Sequence, residues 1–179
     1  MGGMDSNIRG GVNDNPALFF YGGNLDLVRL LLDAGADPDA RSNGRRTLLM
    51  EATRGMDIEL MQILLDAGAD PNITVDEFIG MGDDFGLTVL MVAVRTLSPE
   101  IVRLLIDAGA DPNLWSGSRG GRPPLLEAVR SGNIEVVRVL LEAGADVNVQ
   151  VSGGTVLEAA ERLNYTAIAR LLRDAGATG

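Results

Sequence analysis

One phrase recurs five times along the chain, and its spacing constrains the fold more than any other feature. The copies read LLDAGADPD, LLDAGADPN, LIDAGADPN, LLEAGADVN and LLRDAGATG. Their shared glycines are Gly35, Gly68, Gly109, Gly144 and Gly176, so the steps between copies are 33, 41, 35 and 32 residues. Self-similarity near 33 residues is typical of stacked helical repeats. We therefore predict an all-α solenoid built from helix-turn-helix units.

Each copy of the phrase is predicted to end a helix. In NLDLVRLLLDAG, residues 24–35, apolar residues occupy nearly every side, which is typical of a helix sandwiched between neighbours. Asp26, Arg29 and Asp33 form the single polar stripe, with the i+3 and i+4 spacing of ion pairs. Gly35 follows the last turn, where a positive φ costs a glycine nothing. The proline of the DPD and DPN turns prevents the helix from continuing.

A further helix is predicted before each of these, because threonine is a good N-cap and proline suits a first turn. These helices start at Thr47, Thr88, Pro123 and Thr155. One column of the aligned segments is always leucine: Leu49, Leu90, Leu125 and Leu157. Another is always alanine: Ala52, Ala93, Ala128 and Ala160. A small residue in that column lets neighbouring helices approach closely.

This pattern resembles the ankyrin repeat, whose signature is T-P-L-H-x-A, a turn, a second helix and a G-A-D-x-N hairpin. GNIEVVRVLLEAGADVN, residues 132–148, is close to the consensus of that family. The resemblance covers about residues 14–179 and implies a curved solenoid with hairpin finger loops along one edge. We accordingly predict a flexible tail, 1–13, and a single domain, 14–179. Its five repeats span about 14–41, 42–82 with an inserted loop, 83–117, 118–149 and 150–179.

The sequence departs from the family signature at the helix starts and at the two ends. The signature histidine is replaced by Met50, Met91, Leu126 and Glu158. We therefore expect its hydrogen bond to be lost and apolar packing to replace it. In the irregular first repeat, Asn15 is the expected N-cap, and Phe19 and Phe20 are expected to cover the open edge. Arg173 stands where inner repeats have leucine or isoleucine, which fits a last repeat whose outer face meets water.

Composition narrows the classes of function. The 179 residues include no histidine and no cysteine, and all 15 basic residues are arginine. The commonest general base, thiolate chemistry and Schiff-base chemistry are thus missing, and we predict no metal and no cofactor. A net charge of -10 repels phosphate backbones and anionic lipids, and no apolar run reaches the ~18 residues of a membrane span. We predict a cytoplasmic protein with no nucleic-acid or membrane partner. Arginine without lysine hints at a GC-rich bacterial genome.

An inserted loop is the first candidate for a functional surface. The 41-residue step places extra residues in ITVDEFIGMGDDFG, residues 73–86. Insertions in repeat arrays map to loops on one face, which is often the binding face. The loop combines carboxylates with aromatic rings: Asp76, Glu77, Asp83, Asp84, Phe78 and Phe85. It is either a contact loop or a tolerated surface loop, since lengthening a loop costs little. The acids lack the ligand order of an EF-hand.

The loop at residues 113–124 is the second candidate, because it holds the only tryptophan of the chain, Trp115. Tryptophan is enriched at binding hot spots. Trp115 either contacts a partner, together with Phe78 or Phe85 if neighbouring fingers align, or folds onto its own finger.

A column of arginines is the third candidate. Arg54, Arg95, Arg130 and Arg162 occupy the same site in four successive repeats, at the end of the first helix. The ankyrin resemblance implies that this site faces the concave groove. With helices about 8–10 Å apart, the four would form a strip roughly 30 Å long.

Two further arginines, Arg46 and Arg122, would extend this strip. Arginine binds carboxylates bidentately, so the strip suits a partner protein with an acidic surface. The alternative is local stabilisation, because Glu51 and Glu127 precede Arg54 and Arg130 by three residues, a spacing suited to ion pairs.

The leading interpretation is a protein-interaction module that binds its partner through the groove and the fingers, and not an enzyme. The alternative is a small-molecule-binding protein or an acid–base enzyme of the cyclase or isomerase type. Its site would lie beneath the loops at 73–86 and 113–124, where a buried carboxylate could act as acid or base without histidine. An engineered consensus scaffold is a third possibility, against which the irregular steps argue.

Overall fold

Threonine, proline and glycine divide the chain into short helices of similar length. The structure, a computed structural model, describes residues 9–10, 15–42, 46–74, 87–115, 122–151 and 153–178. The helices in these ranges are α1 (Ala17–Tyr21), α2 (Leu25–Asp33), α3 (Leu48–Gly55), α4 (Ile58–Asp66), α5 (Val89–Thr96), α6 (Pro99–Asp107), α7 (Pro124–Ser131), α8 (Ile134–Glu142), α9 (Val156–Arg162) and α10 (Thr166–Asp174). A two-residue antiparallel ladder joins β1 (Arg9–Gly10) to β2 (Asn15–Pro16). The predicted all-α repeat fold is confirmed.

The first helix of a repeat starts at a capping threonine or at a proline. Thr47, Thr88 and Thr155 each accept, through Oγ1, the backbone N–H three residues on, at 3.4, 3.1 and 3.1 Å. Helix α7 instead follows Pro123, which makes no side-chain cap bond. The expected loss of hydrogen bonding at the signature histidine is wrong in the last repeat. Glu158 Oε2 there accepts the N–H of Thr155 at 2.9 Å, because a glutamate three residues past the cap can reach back to it.

The second helix of each repeat ends in the same hydrogen-bonded turn. The closing glycines have φ between 84° and 93°, which only glycine adopts without strain. In the first copy Gly35 N–H donates to Leu32 O, and Ala36 N–H donates to Leu31 O, both at 2.9 Å. This is the Schellman arrangement, and the other four copies repeat it. The alanine after the glycine is buried in the first four copies and anchors the start of the finger.

The helices form two layers with the core between them. Helices α3, α5, α7 and α9 pack side by side in one layer, while α6, α8 and α10 follow one another in the second. The predicted leucine and alanine columns of the first layer are all buried. Met50, Met91 and Leu126 are also buried, so apolar packing does replace the signature histidine in these repeats.

The fingers are joined by a ladder of side-chain hydrogen bonds that we call the finger ladder. Asn72 Oδ1 accepts the backbone N–H of Asp111 at 2.8 Å, and Asn72 Nδ2 donates to Gly109 O at 2.9 Å. Asn113 and Asn148 make the equivalent bonds to the next repeat, at 2.7–3.2 Å. Each asparagine therefore links its own repeat to the following one through both the oxygen and the nitrogen of its side-chain amide.

The two ends of the stack differ. Arg173 is exposed and pairs with Glu161, as expected for a last repeat that faces water. At the other end, the expected Asn15 cap is wrong: Asn15 pairs in β2, and Pro16 occupies the cap position of α1. Phe19 packs against the core, but Phe20 is 52 % exposed, so only one of the two rings covers the edge.

Helix α2 is not sandwiched as its sequence predicts. Leu30 is 61 % exposed, whereas Ile63 and Leu104 at the same position of later repeats pack on the core. Its apolar pattern is that of an inner repeat, but α2 belongs to the first repeat of the described stack and has a neighbouring repeat on one side.

The first link of the finger ladder uses an aspartate, Asp39, where the later links use an asparagine. A substitution at this residue is expected to stabilise the fold. Asp39 replaces the asparagine, so it accepts the Asp70 N–H at 3.0 Å but has no amide to donate to Gly68. Burial raises its pKa, the Asp70 hydrogen bond opposes that rise, and the nearby Asp37 and Asp70 charges add to it. We expect Asp39→Asn to raise the free energy of unfolding at pH 7 by about 1 kcal/mol, the contribution of one hydrogen bond.

Thermal denaturation at two pH values tests this expectation. Because the pKa of Asp39 is raised by folding, protonation stabilises the wild type as the pH falls toward the ordinary aspartate pKa of about 3.9. The advantage of Asp39→Asn should therefore shrink at low pH. The matched reverse change, Asn72→Asp, should lower the melting temperature at pH 7. A melting temperature of Asp39→Asn equal to or below that of the wild type at pH 7 would contradict the expectation.

Candidate functional site

The predicted arginine column lies on the layer of first helices. We call it the arginine strip and define it as Arg46, Arg54, Arg95, Arg122, Arg130 and Arg162. Helices α3, α5, α7 and α9 pack side by side, and each has one exposed arginine in its last turn. In chain order these are Arg54, Arg95, Arg130 and Arg162. A helix C-terminus favours a cation, so each position is electrostatically favourable by itself. The structure thus brings the four together on one layer.

Two glutamates lie among these arginines and pair with them. Glu51 Oε1 is 3.2 Å from Arg46 Nη1, and Glu51 Oε2 is 3.8 Å from Arg54 Nη1. The predicted internal pair between Glu51 and Arg54 is therefore present, and Arg46 is drawn onto the same helix face.

Glu127 behaves differently from the prediction that pairs it with Arg130. Its Oε1 lies 3.6 Å from Arg95 Nε, and its Oε2 lies 3.3 Å from Arg122 Nη1. Arg95 belongs to the preceding repeat, so this carboxylate links two repeats. The predicted i+3 pair is replaced because the neighbouring helix and the residues just before α7 also bring guanidinium groups within reach.

Arg130 and Arg162 form the C-terminal end of the strip. Both are exposed, and no acidic side chain of the described residues lies within ion-pair distance of either guanidinium. Glu127 faces Arg95 and Arg122 instead, and Glu161 faces Arg173. These two cations therefore face solvent without an internal counter-ion in the described part of the chain.

A pocket between α3 and α5 lies beside the strip, and the sequence did not predict it. Its volume is about 250 Å³. The described residues that line it are Arg54, Met56, Leu87, Val92, Arg95 and Thr96. Leu87 is buried, and Val92 occupies the position that is Glu51 in α3 and Glu127 in α7. Val92 is only a partial signal in the sequence, because Ala159 at the same position of α9 is also apolar.

Two large apolar residues at the pocket adopt a left-handed backbone conformation that residues other than glycine normally avoid. Met56 and Leu97 cap α3 and α5 with φ of 55° and 60°, and their side chains are 57 % and 46 % exposed. The left-handed conformation costs a non-glycine residue roughly 1–2 kcal/mol. Gly132 caps α7 with φ of 71°, so a glycine fits the equivalent site. Residues held in such conformations cluster at functional sites.

The predicted loop residues are placed only in part. The acidic and aromatic residues of the inserted loop lie outside the described residues; these are Asp76, Glu77, Phe78, Asp83, Asp84 and Phe85. Trp115 is half-buried, and it is neither among the described residues that line the pocket nor among those that pack on the core. The site proposed for an enzyme, beneath the loops at 73–86 and 113–124, thus falls largely outside the described ranges.

The chemistry of the described site is that of cations beside apolar surface. The pocket lining contains no carboxylate among the described residues. Asp39, the carboxyl whose pKa burial raises, lies in a finger turn and not in this lining. Across the described ranges, no cluster of three or more acidic side chains could hold a metal ion. None of the helices described is both long and apolar enough to cross a membrane.

Comparison with known proteins agrees with this architecture. No curated protein matches the chain. The family model described as ankyrin repeats (3 copies) matches residues 6–75, 74–151 and 116–178, which together span nearly the whole sequence. With capped helix pairs in two layers, Schellman turns at a common period and a finger ladder between repeats, the chain belongs to the ankyrin-repeat family.

Proposed function

We propose that this protein is an interaction module that docks an acidic surface of a partner protein on its arginine strip. Ankyrin repeats are generally protein–protein interaction modules. In this family the ends of the first helices line the concave groove, which makes the strip the floor of the binding surface. The observation that carries the proposal is the exposure of Arg130 and Arg162 without an acidic neighbour in the described part of the molecule.

The charge of this layer supports the proposal. Residues 46–55, 88–96, 122–131 and 155–162 carry six arginines and four glutamates, a local charge of +2, while the whole chain carries -10. A cationic strip on an acidic protein attracts acidic surfaces to one place and repels them elsewhere, which orients a partner during encounter. Arginine suits the task because its guanidinium binds a carboxylate through two parallel hydrogen bonds.

Internal ion pairing does not compete strongly with this role. The pairs of Glu51 and Glu127 hold exposed or half-buried arginines, and surface ion pairs contribute about 0–1 kcal/mol each. A partner carboxylate that adds a second hydrogen-bonded contact to the same guanidinium leaves them in place. Stabilisation of the repeats and docking are therefore compatible.

The inserted loop and the tryptophan are proposed as flanking contacts. Insertions in repeat arrays lie on one face, and residues 73–86 directly precede Leu87 of the pocket. Trp115 follows a finger turn and is half-buried, so part of this residue is accessible for a contact. Both would extend the strip at the edge from which the fingers project.

Charge reversal at Arg130 and Arg162 tests the proposed function. The double variant Arg130→Glu with Arg162→Glu is expected to retain no more than about a tenth of the partner captured by the wild type, because attraction becomes repulsion. Affinity capture from a lysate of the source organism, quantified by mass spectrometry, measures this. Circular dichroism should show an unchanged fold, since the described structure gives neither side chain an acidic partner to lose.

The matched control reverses two arginines of the other layer. Arg103 and Arg138 are exposed on α6 and α8, where each forms one surface ion pair, and Arg103→Glu with Arg138→Glu changes the net charge by the same amount. Partner capture by this control should remain near the wild-type level. Equal capture by wild type and by the Arg130 and Arg162 variant would remove the strip from the binding surface.

A further inference from the structure

We infer that the pocket between α3 and α5 binds one apolar side chain of an acidic, extended segment in the partner protein. Carboxylates of that segment on either side of the apolar residue would pair with Arg54 and Arg95. This inference rests on the proposed function, and it names the kind of partner segment that the arginine strip takes.

The size of the pocket fits a single side chain. Its volume is about 250 Å³, with buried Leu87 and the apolar Val92 and Met56 in its lining. An apolar cavity of about 150 Å³ holds a benzene molecule. Sites for drug-sized ligands and cofactors begin at about 300 Å³. A leucine, methionine or phenylalanine side chain therefore matches the space better than a cofactor does.

The charged rim of the pocket favours carboxylates beside that side chain. Arg54 and Arg95 both line it, and they come from successive repeats. Glu127 in the next repeat shows how such a site is filled: its carboxylate lies between Arg95 and Arg122, at 3.6 and 3.3 Å. In the α5 repeat, Val92 stands at the position of Glu127 and Leu87 at the position of Arg122, so the chain supplies an apolar wall beside Arg54 and Arg95. A partner carboxylate would take the equivalent place.

The strained apolar residues at the rim support an apolar anchor. Met56 lines the pocket and Leu97 follows its lining residue Thr96, and both expose their side chains from left-handed backbone. The glycine at the equivalent end of α7 adopts this backbone without the cost. An exposed methionine or leucine side chain gains stability when an apolar group of a partner removes its surface from water.

Peptide selection followed by a titration tests the inference. A random twelve-residue library displayed on phage is selected on the immobilised wild-type protein. The binding peptides are expected to share an apolar residue with aspartate or glutamate on both sides. The best of them, synthesised with a fluorescent label, is then titrated with wild type and variants by anisotropy.

Val92→Glu is the decisive variant because Glu51 and Glu127 show that the fold accepts glutamate at this position. The new carboxylate should pair with Arg54 and Arg95 itself and weaken peptide binding by about tenfold or more, equivalent to losing one charge-assisted contact. Val92→Leu keeps the wall apolar and should bind within about twofold of wild type. Thermal melts confirm that both variants fold.

The outcomes separate this inference from the proposed function. Unchanged binding by Val92→Glu, with binding lost in the Arg130→Glu and Arg162→Glu double variant, would overturn the pocket and leave the strip. Binding unaffected by either variant would overturn both. Selected peptides without carboxylates, or a library that yields no binder, would also overturn the inference, because it requires a linear acidic segment to bind by itself.

Discussion

Leu105→Ala is expected to lower the free energy of unfolding by about 3 kcal/mol. Leu105 is fully buried in α6, near the middle of the stack, and leucine-to-alanine changes in such sites cost roughly 2–5 kcal/mol through lost burial and a residual cavity. A repeat contacts only its neighbours, so a loss in a central repeat weakens the interfaces on both sides of it. The same column is leucine in every copy.

Urea denaturation at 25 °C, followed by circular dichroism, measures this loss. Leu30→Ala is the matched control, because Leu30 lies on the second helix of the first repeat and is 61 % exposed. Its effect should stay within about 0.5 kcal/mol, the range of surface substitutions. Equal losses from the two substitutions would contradict the assigned burial, and with it the layer arrangement.

The repeat architecture could be predicted because its determinants recur at a fixed period. The leucine column, the alanine column and the closing glycines were assigned from spacing alone, and each lies where the spacing predicts. Local chemistry is sufficient here. A threonine that accepts the backbone N–H three residues on, or a glycine two residues past a helix, acts on its own segment and needs no knowledge of the neighbours.

Interactions between repeats could not be predicted in the same way. Glu127 pairs with Arg95 of the preceding helix, although the sequence spacing favours Arg130. The finger ladder depends on the side chain of Asn72 lying against the backbone of the next finger. Such contacts are set by the rise and rotation between repeats, which a single sequence does not state.

The predictions for the N-terminal end of the stack were wrong for a related reason. Leu30 and Phe20 have the apolar character of inner residues, yet both are exposed. Periodicity reports what a residue type would prefer in an inner repeat, and it carries no information on whether a neighbouring repeat covers the face. A pattern of inner type at an outer position is therefore visible only in the structure.

One part of the candidate site could be predicted from the sequence and another part could not. The arginine column was predicted because aligned residues of parallel, neighbouring helices must share a face, and the structure places all four there. The pocket was missed because it is a space between repeats, and Val92 between two glutamates of its column is only a partial signal of it. The column of Glu51, Val92, Glu127 and Ala159 changes in type from repeat to repeat, so it does not locate the pocket by itself.

Ala93→Leu tests the physical basis of that shared face, and it is expected to lower the free energy of unfolding by about 2–3 kcal/mol. Ala93 is fully buried in α5, which packs against both α3 and α7. Extra methylene groups in a well-packed site force shifts that typically cost 1–3 kcal/mol. Because the alanine column sets the spacing of the first helices, the substitution should also move Arg54 away from Arg95 and widen the pocket.

The control for this change is Ala167→Leu, since Ala167 is exposed on α10 and its substitution should change stability by less than about 0.5 kcal/mol. Denaturation curves of the two variants, and titration of each with the selected acidic peptide, give both readouts. Close packing through the alanine column predicts that Ala93→Leu weakens folding and peptide binding together. A variant that loses neither would show that the helix spacing, and therefore the geometry of the arginine strip, is not set by the small residues of this column.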